Sequence, residues 1–153
     1  MDRLAERYSV YVPSHPGWGR SETPDWLDGM SDLAYFYLDF LDQLKTDKIH
    51  LVGNSLGGWL SLEIAIRSTE LVKSLTLVSA AGIHVDGVSK GDIFLWDDEE
   101  RILNLFYDRS LAEKQLATKL SEEDTTIALK NHFSTAKMYK NMGRTCRYGL
   151  ECK

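Results

Sequence analysis

Residues 48–58 read KIHLVGNSLGG, and this short stretch decides the fold. The compact apolar run Ile49 to Val52 stops at Gly53, and the chain from Leu56 to Ile66 is then apolar on nearly every side. A short apolar run of this kind predicts a buried strand, and the longer one predicts a buried helix. The order is therefore strand, tight turn, helix.

The turn itself fits the pattern G-x-S-x-G, with Ser55 in the middle. A serine in such a turn adopts an unfavourable backbone conformation, and side chains two positions before and after it would collide with the strand and helix. We therefore expect glycine to be required at Gly53 and Gly57. The turn would project the Ser55 hydroxyl over the carboxyl edge of the sheet, with the Leu56 N–H facing an oxygen bound beside it. Ser55 is thus the candidate nucleophile and Leu56 the candidate oxyanion donor. The structural positions of the motif are Gly53, Asn54, Gly57 and Gly58.

A glycine-rich turn between a strand and a helix can also bind phosphate. A P-loop needs Lys and then Ser or Thr after its last glycine, but Trp59 and Leu60 follow Gly58. A dinucleotide site needs the spacing G-x-G-x-x-G, whereas these glycines fall at 53, 57 and 58. The only cysteines, Cys146 and Cys152, form no metal-ligand pattern. We expect no cofactor and no metal.

The flanking sequence predicts further elements of an α/β fold. Tyr8 to Val12 is predicted as a first strand, halted by Pro13, and Leu75 to Val78 as a strand parallel to Ile49–Val52. Leu27 to Leu44 is predicted as an amphipathic helix. After Gly91 we expect helical stretches at 97–108, 111–120 and 124–140, the last capped by Ser121.

Two motifs in register resemble the α/β-hydrolase superfamily. Residues 12–21, VPSHPGWGRS, resemble the P-G-x-G-x-S turn after that family's fourth strand, through Pro16, Gly17 and Gly19. Residues 48–58 resemble its fifth strand and nucleophile elbow, and residues 72–81 its sixth strand. The resemblance implies a partial α/β-hydrolase fold, mostly a parallel sheet with flanking helices and a helical cap segment. The expected organisation is a core at 1–90, a cap at 91–141 and an irregular basic tail at 142–153.

The resemblance also implies a serine hydrolase, esterase-like or carbon–carbon bond hydrolase-like, for a small apolar ester or acyl-type substrate. The alternative is a catalytically inactive truncated fragment or an interaction module. The family orders its triad as serine, acid, histidine, and its base follows the last strand. Within this chain, His84 is the candidate base and Asp86 the candidate acid. His15 lies at the same sheet edge and is the alternative candidate base, whereas His50 is expected to be structural and His132 to lie on the cap surface.

A chain that starts just before the family's fourth strand is expected to lack the third strand and the second oxyanion donor. The elbow strand would then have an open edge, which predicts self-association, aggregation or a rearranged sheet.

The charge of the 153-residue chain bears on its partners and location. Eighteen basic and twenty-three acidic residues give a net charge of -5, which argues against nucleic acid or an anionic membrane as the main partner. The charged start and the lack of an apolar run long enough to span a bilayer make a cytoplasmic location the expectation.

Overall fold

The computed structural model describes residues 2–83, 86–88 and 91–140. These residues form two strands and six helices: α1 (Asp2–Ala5), α2 (Met30–Gln43), β1 (Ile49–Asn54), α3 (Leu56–Arg67), β2 (Val72–Val78), α4 (Asp98–Leu105), α5 (Arg109–Ala117) and α6 (Glu122–Lys140). The predicted helices are confirmed, with ends that differ by a few residues. Ser121 accepts a hydrogen bond from the Asp124 N–H at 3.1 Å, so its capping role is confirmed. No helix among the described residues is long and apolar enough to span a membrane.

The sheet is a parallel pair of strands joined by α3. Leu51 lies opposite Leu75 and Gly53 opposite Leu77, with one irregularity between Ile49 and His50. The order β1, α3, β2 is the predicted βαβ unit, and it places the carboxyl ends of both strands at one edge. Ser55 follows β1 at that edge.

The prediction of a first strand at Tyr8–Val12 is wrong, because these residues lie in irregular chain. A strand exists only when a neighbour pairs with its backbone, and within the described residues β1 pairs with β2 alone. The segment therefore remains exposed, with Tyr8 meeting the ring of His50 edge-on. The sheet has two strands in the described chain, so only part of the larger, mostly parallel sheet that the resemblance implies is present there.

The hydrophobic core lies between α2 and α3 and reaches α6. Its α2 side chains recur at the three- and four-residue steps seen in the sequence. Met138 of α6 is 1% exposed and packs into the same cluster. The last helix of the 91–140 segment is thus joined to the main core. The buried cluster comprises Leu27, Met30, Leu33, Ala34, Tyr37, Leu41, Trp59, Leu60, Ile64 and Met138.

One charged side chain is buried within this core. Glu63 of α3 is 1% exposed, accepts a hydrogen bond from the indole Nε1 of Trp59 at 3.0 Å, and forms an ion pair with Arg67. Arg67 also donates to the Ser31 hydroxyl at 3.1 Å, and its guanidinium lies over the ring of Tyr35. The network ties α2 to α3 through Arg67, and the contacts from Trp59 and Arg67 compensate for the burial of the carboxylate.

Candidate active site

Ser55 lies at the junction of β1 and α3 in a strained backbone conformation. Its φ is 51° and its ψ is −118°, a region that costs a non-glycine residue about 1–3 kcal/mol. The residue is exposed at the sheet edge. Within the described chain, the N–H groups of Leu56 and Gly57 have no backbone acceptor, so the first turn of α3 presents two donors beside the serine. The strained conformation predicted for Ser55 is confirmed, whereas its role as nucleophile and that of the Leu56 N–H as oxyanion donor stay predictions.

The motif positions at which the structure sterically requires glycine differ in part from the predicted ones. A Cβ built on Gly53 would lie 2.6 Å from both the Gly58 Cα and the Ser61 Oγ, and closer still to the Gly57 carbonyl oxygen. Glycine is therefore required at 53, as predicted. A Cβ on Gly57 would meet nothing within 4 Å, so the expected steric need at that position is wrong. Glycine is instead required at Gly58, because a Cβ built there would overlap Ala80 in the loop after β2.

That loop, Ser79 to Gly82, packs directly on the elbow. The Ser55 N–H donates to the Val78 carbonyl at 3.0 Å, and the Ala81 N–H donates to the Ser55 carbonyl at 2.9 Å. Ser79 has a φ of 44°, so a second strained residue lies beside the first. The sequence does not predict this role for the loop. The feature of the sequence that could have indicated this packing is the run of small residues Ser-Ala-Ala-Gly at the end of an apolar strand.

The second motif forms a turn that α6 holds in place. Gly17 and Gly19 have φ values of 87° and 57°, which explains glycine at both positions. The Gly19 N–H donates to the Asn131 Oδ1 at 2.8 Å, and the Ser134 hydroxyl donates to the Gly17 carbonyl at 2.7 Å. Pro16 enters the turn half-buried. The helix after Ser121 thus anchors the turn through side chains that the sequence did not identify.

The candidate bases have different surroundings. Nδ1 of His15 lies 2.6 Å from the hydroxyl oxygen of Tyr37, and burial lowers the pKa of His15 and raises the pKa of Tyr37 to about 12. His50 is exposed and its Nδ1 lies 2.6 Å from the Ser74 hydroxyl on β2, which agrees with a structural role. His132 is exposed on α6, as expected for a surface residue. Among the described histidines, none forms a hydrogen bond with Ser55.

The candidate pair after β2 is only partly described. His84 lies outside the described residues, and Asp86 is exposed in the loop that follows. Asn54 ends β1 opposite Val78, one residue before Ser55. No group of three or more His, Cys, Asp or Glu side chains that could hold a metal ion occurs among the residues described. Cys146 and Cys152 lie beyond that part of the chain.

Known proteins resemble this chain over most of its length. A curated relative, 2-hydroxy-6-oxo-2,4-heptadienoate hydrolase of Pseudomonas putida, is 30% identical over 143 residues, which cover 88% of this chain and 51% of the relative. A 2-hydroxymuconate semialdehyde hydrolase of Pseudomonas sp. is 33% identical over 125 residues, covering 76% of this chain and 44% of that protein. The chain thus spans about half the length of these curated relatives.

A solved structure supports the same fold. The meta-cleavage product hydrolase of Pseudomonas fluorescens matches with a TM-score of 0.59 and 24% identity, covering 99% of this chain and 53% of that one. The protein-family model described as the alpha/beta hydrolase fold matches residues 1–144 of this chain. With the elbow and the βαβ unit in place, this chain belongs to the alpha/beta hydrolase fold family.

Proposed function

We propose that the protein is a hydrolase that cleaves carbon–carbon bonds in small 2-hydroxy-6-oxo-dienoate-type substrates, with Ser55 as its nucleophile. The observation that carries this proposal is the strained, exposed Ser55 at the start of α3, next to the Leu56 N–H, which has no backbone acceptor within the described residues. The names of the relatives supply the substrate class. The same geometry suits short esters, which are the second substrate class to test.

The proposed reaction begins with addition of the Ser55 Oγ to a substrate carbonyl carbon, while the hydroxyl proton passes to a base. Negative charge then develops on the carbonyl oxygen, where the Leu56 N–H donates a hydrogen bond. The adjacent carbon–carbon bond breaks, or the ester carbon–oxygen bond in the second class, and the leaving group takes up a proton. Water then hydrolyses the acyl-Ser55 intermediate and regenerates the hydroxyl.

Within this chain, His84 is the proposed base and Asp86 the proposed acid. Both follow the loop whose backbone is hydrogen-bonded to Ser55, which supports placing them near the nucleophile. In the described structure His15 contacts the Tyr37 hydroxyl through Nδ1 and forms no hydrogen bond with Ser55, which favours His84 over it. His84→Ala is expected to abolish labelling of Ser55 by an electrophilic probe. His132→Ala is the matched control, because His132 is an exposed histidine of α6, and equal labelling of both variants would contradict the assignment.

We also propose that the segment 91–141, with α4 to α6, covers the site as a cap. The direct bonds between α6 and the turn at Gly17–Gly19 support this, since they fix one side of the segment to the core.

The function is tested with a fluorophosphonate probe on the folded 153-residue chain. We expect stoichiometric labelling that Ser55→Ala abolishes. Ser68→Ala is the control, because Ser68 caps the opposite end of the 12-residue α3, roughly 18 Å away. Hydrolysis of 2-hydroxy-6-oxo-2,4-heptadienoate and of a chromogenic short ester then separates the two substrate classes. Folded chain that resists labelling would refute the proposal and favour a non-catalytic fragment or interaction module.

Self-association is a further part of the proposal. One edge of β1 has no strand partner in the described residues, and Val52 on that strand is 66% exposed. Unpaired strand edges beside apolar side chains favour pairing with another chain. Sedimentation over a tenfold concentration range should show association, and a concentration-independent monomer with a sharp melt would contradict it.

A further inference from the structure

We infer that Ala81 is a positioning residue for the Ser55 nucleophile, acting through its backbone N–H from the loop after β2. The inference rests on the proposed function of Ser55. It goes beyond the G-x-S-x-G motif, because it assigns the orientation of the serine to a segment about 25 residues further along the chain.

The first observation is that Ser55 is held on both sides of its Cα by the end of β2. Its N–H donates to the Val78 carbonyl at 3.0 Å, and its carbonyl accepts from the Ala81 N–H at 2.9 Å. The carbonyl also accepts from the Gly58 N–H at 2.9 Å in the first turn of α3. A residue with a φ of 51° and a ψ of −118° persists only where its surroundings over-determine its conformation. These bonds provide that constraint.

The second observation is steric. Ala80 lies so close to Gly58 that a Cβ there would be 2.8 Å from the Ala80 Cα. Gly82, with a φ of 77°, lies against Trp59, and a Cβ on it would be 2.6 Å from the indole Cγ. Backbone therefore packs on α3 at both points, and the loop has no room to slide along the helix.

The third observation is the strain in the loop itself. Ser79 takes a φ of 44°, which turns the chain out of β2 and directs the Ala81 N–H back toward Ser55. Val78 and Ala81 thus reach the same residue from two sides. Loss of the Ala81 bond would remove the one constraint on the Ser55 carbonyl that comes from the loop, while the bonds to Val78 and to the first turn of α3 remain. We expect the Ser55 Oγ then to spend less time at the position served by the Leu56 N–H.

The test compares Ala81→Pro, which removes the donor, with Ala81→Gly, which keeps it. Labelling of Ser55 by a fluorophosphonate is followed as a function of probe concentration. We expect the rate at saturating probe to fall about tenfold in Ala81→Pro, which corresponds to one lost hydrogen bond, while the half-saturating concentration stays constant. Ala81→Gly should label at a rate close to that of the unchanged chain. Equal saturating rates for the proline and glycine variants would overturn the inference.

A second measurement covers the case in which Ala81→Pro does not fold. Amide hydrogen exchange of the unchanged chain should show a slow Ala81 N–H, and exchange at the rate of an unprotected loop would overturn the inference. If the unchanged chain folds but does not label, the proposed function fails. In that case the exchange rate of the Ala81 amide alone tests whether its hydrogen bond to the Ser55 carbonyl is present.

Discussion

Replacing the three motif glycines one at a time with alanine tests the elbow geometry directly. In Gly53→Ala the new Cβ would lie 2.6 Å from the Gly58 Cα and the Ser61 Oγ. Ordinary carbon contacts lie at about 3.5–4.0 Å, so β1 and α3 would have to separate by roughly 1 Å. Backbone atoms are among the neighbours and cannot rotate aside. Overpacking of this kind costs about 3 kcal/mol, the upper end of the usual range.

The other two glycines give contrasting expectations. In Gly58→Ala the Cβ would lie 2.8 Å from the Ala80 Cα, which costs about 2–3 kcal/mol, offset by about 1 kcal/mol of helix propensity. Gly57→Ala places its Cβ in open space within α3, so it gains that propensity alone. The expected order of unfolding free energy is therefore Gly57→Ala above the unchanged chain, then Gly58→Ala, then Gly53→Ala.

Urea unfolding followed by circular dichroism measures this order. For a chain of this length, each kcal/mol also shifts the melting temperature by about 2–4 °C. Gly57→Ala is the built-in control, since it belongs to the same motif and carries the same chemical change. A Gly57→Ala variant as unstable as Gly53→Ala, or a Gly53→Ala variant as stable as the unchanged chain, would refute the steric reasoning.

Three further predictions concern the parts of the molecule that support the site. Arg67→Met removes the ion-pair partner of the buried Glu63 carboxylate and should lower the free energy of unfolding by about 3 kcal/mol. Replacing both residues with Met should cost less, and a double variant as unstable as the single one would contradict this. Because burial lowers the pKa of His15, the unfolded chain takes up a proton at a higher pH than the folded chain does. Stability is therefore full above about pH 6.5 and declines as the pH falls below that value. His15→Asn should reduce the change in melting temperature between pH 7.5 and 5, and equal slopes of melting temperature against pH for the variant and the unchanged chain would contradict this. Asn131→Ala removes the acceptor of the Gly19 N–H and should lower the free energy of unfolding in urea by about 1–3 kcal/mol. His132→Ala, at the exposed neighbouring position, should lower it by less than about 0.5 kcal/mol, and equal losses for the two variants would contradict the anchoring contact.

Local sequence was sufficient for the elements whose signals lie within a few residues. The apolar run before Gly53 and the continuous apolar stretch after Leu56 predicted β1 and α3 because the length and composition of each run lie in the chain itself. Ser121 was identified as a cap for the same reason, since its partner N–H belongs to Asp124, three residues away. The strained turn at Ser55 followed from the glycine before it. The burial predicted for β1 is wrong, because within the described residues one of its edges has no strand partner and Val52 is 66% exposed.

Contacts between distant segments determined the rest. Gly58 rather than Gly57 is the second required glycine because Ala80 arrives from another strand, and no spacing within the motif records that approach. Tyr8–Val12 has the composition of a strand but forms none, because pairing is a property of two segments. What the sequence by itself determined is the strand–serine–helix unit, and what only the tertiary structure decided is which distant backbone atoms hold Ser55 in place.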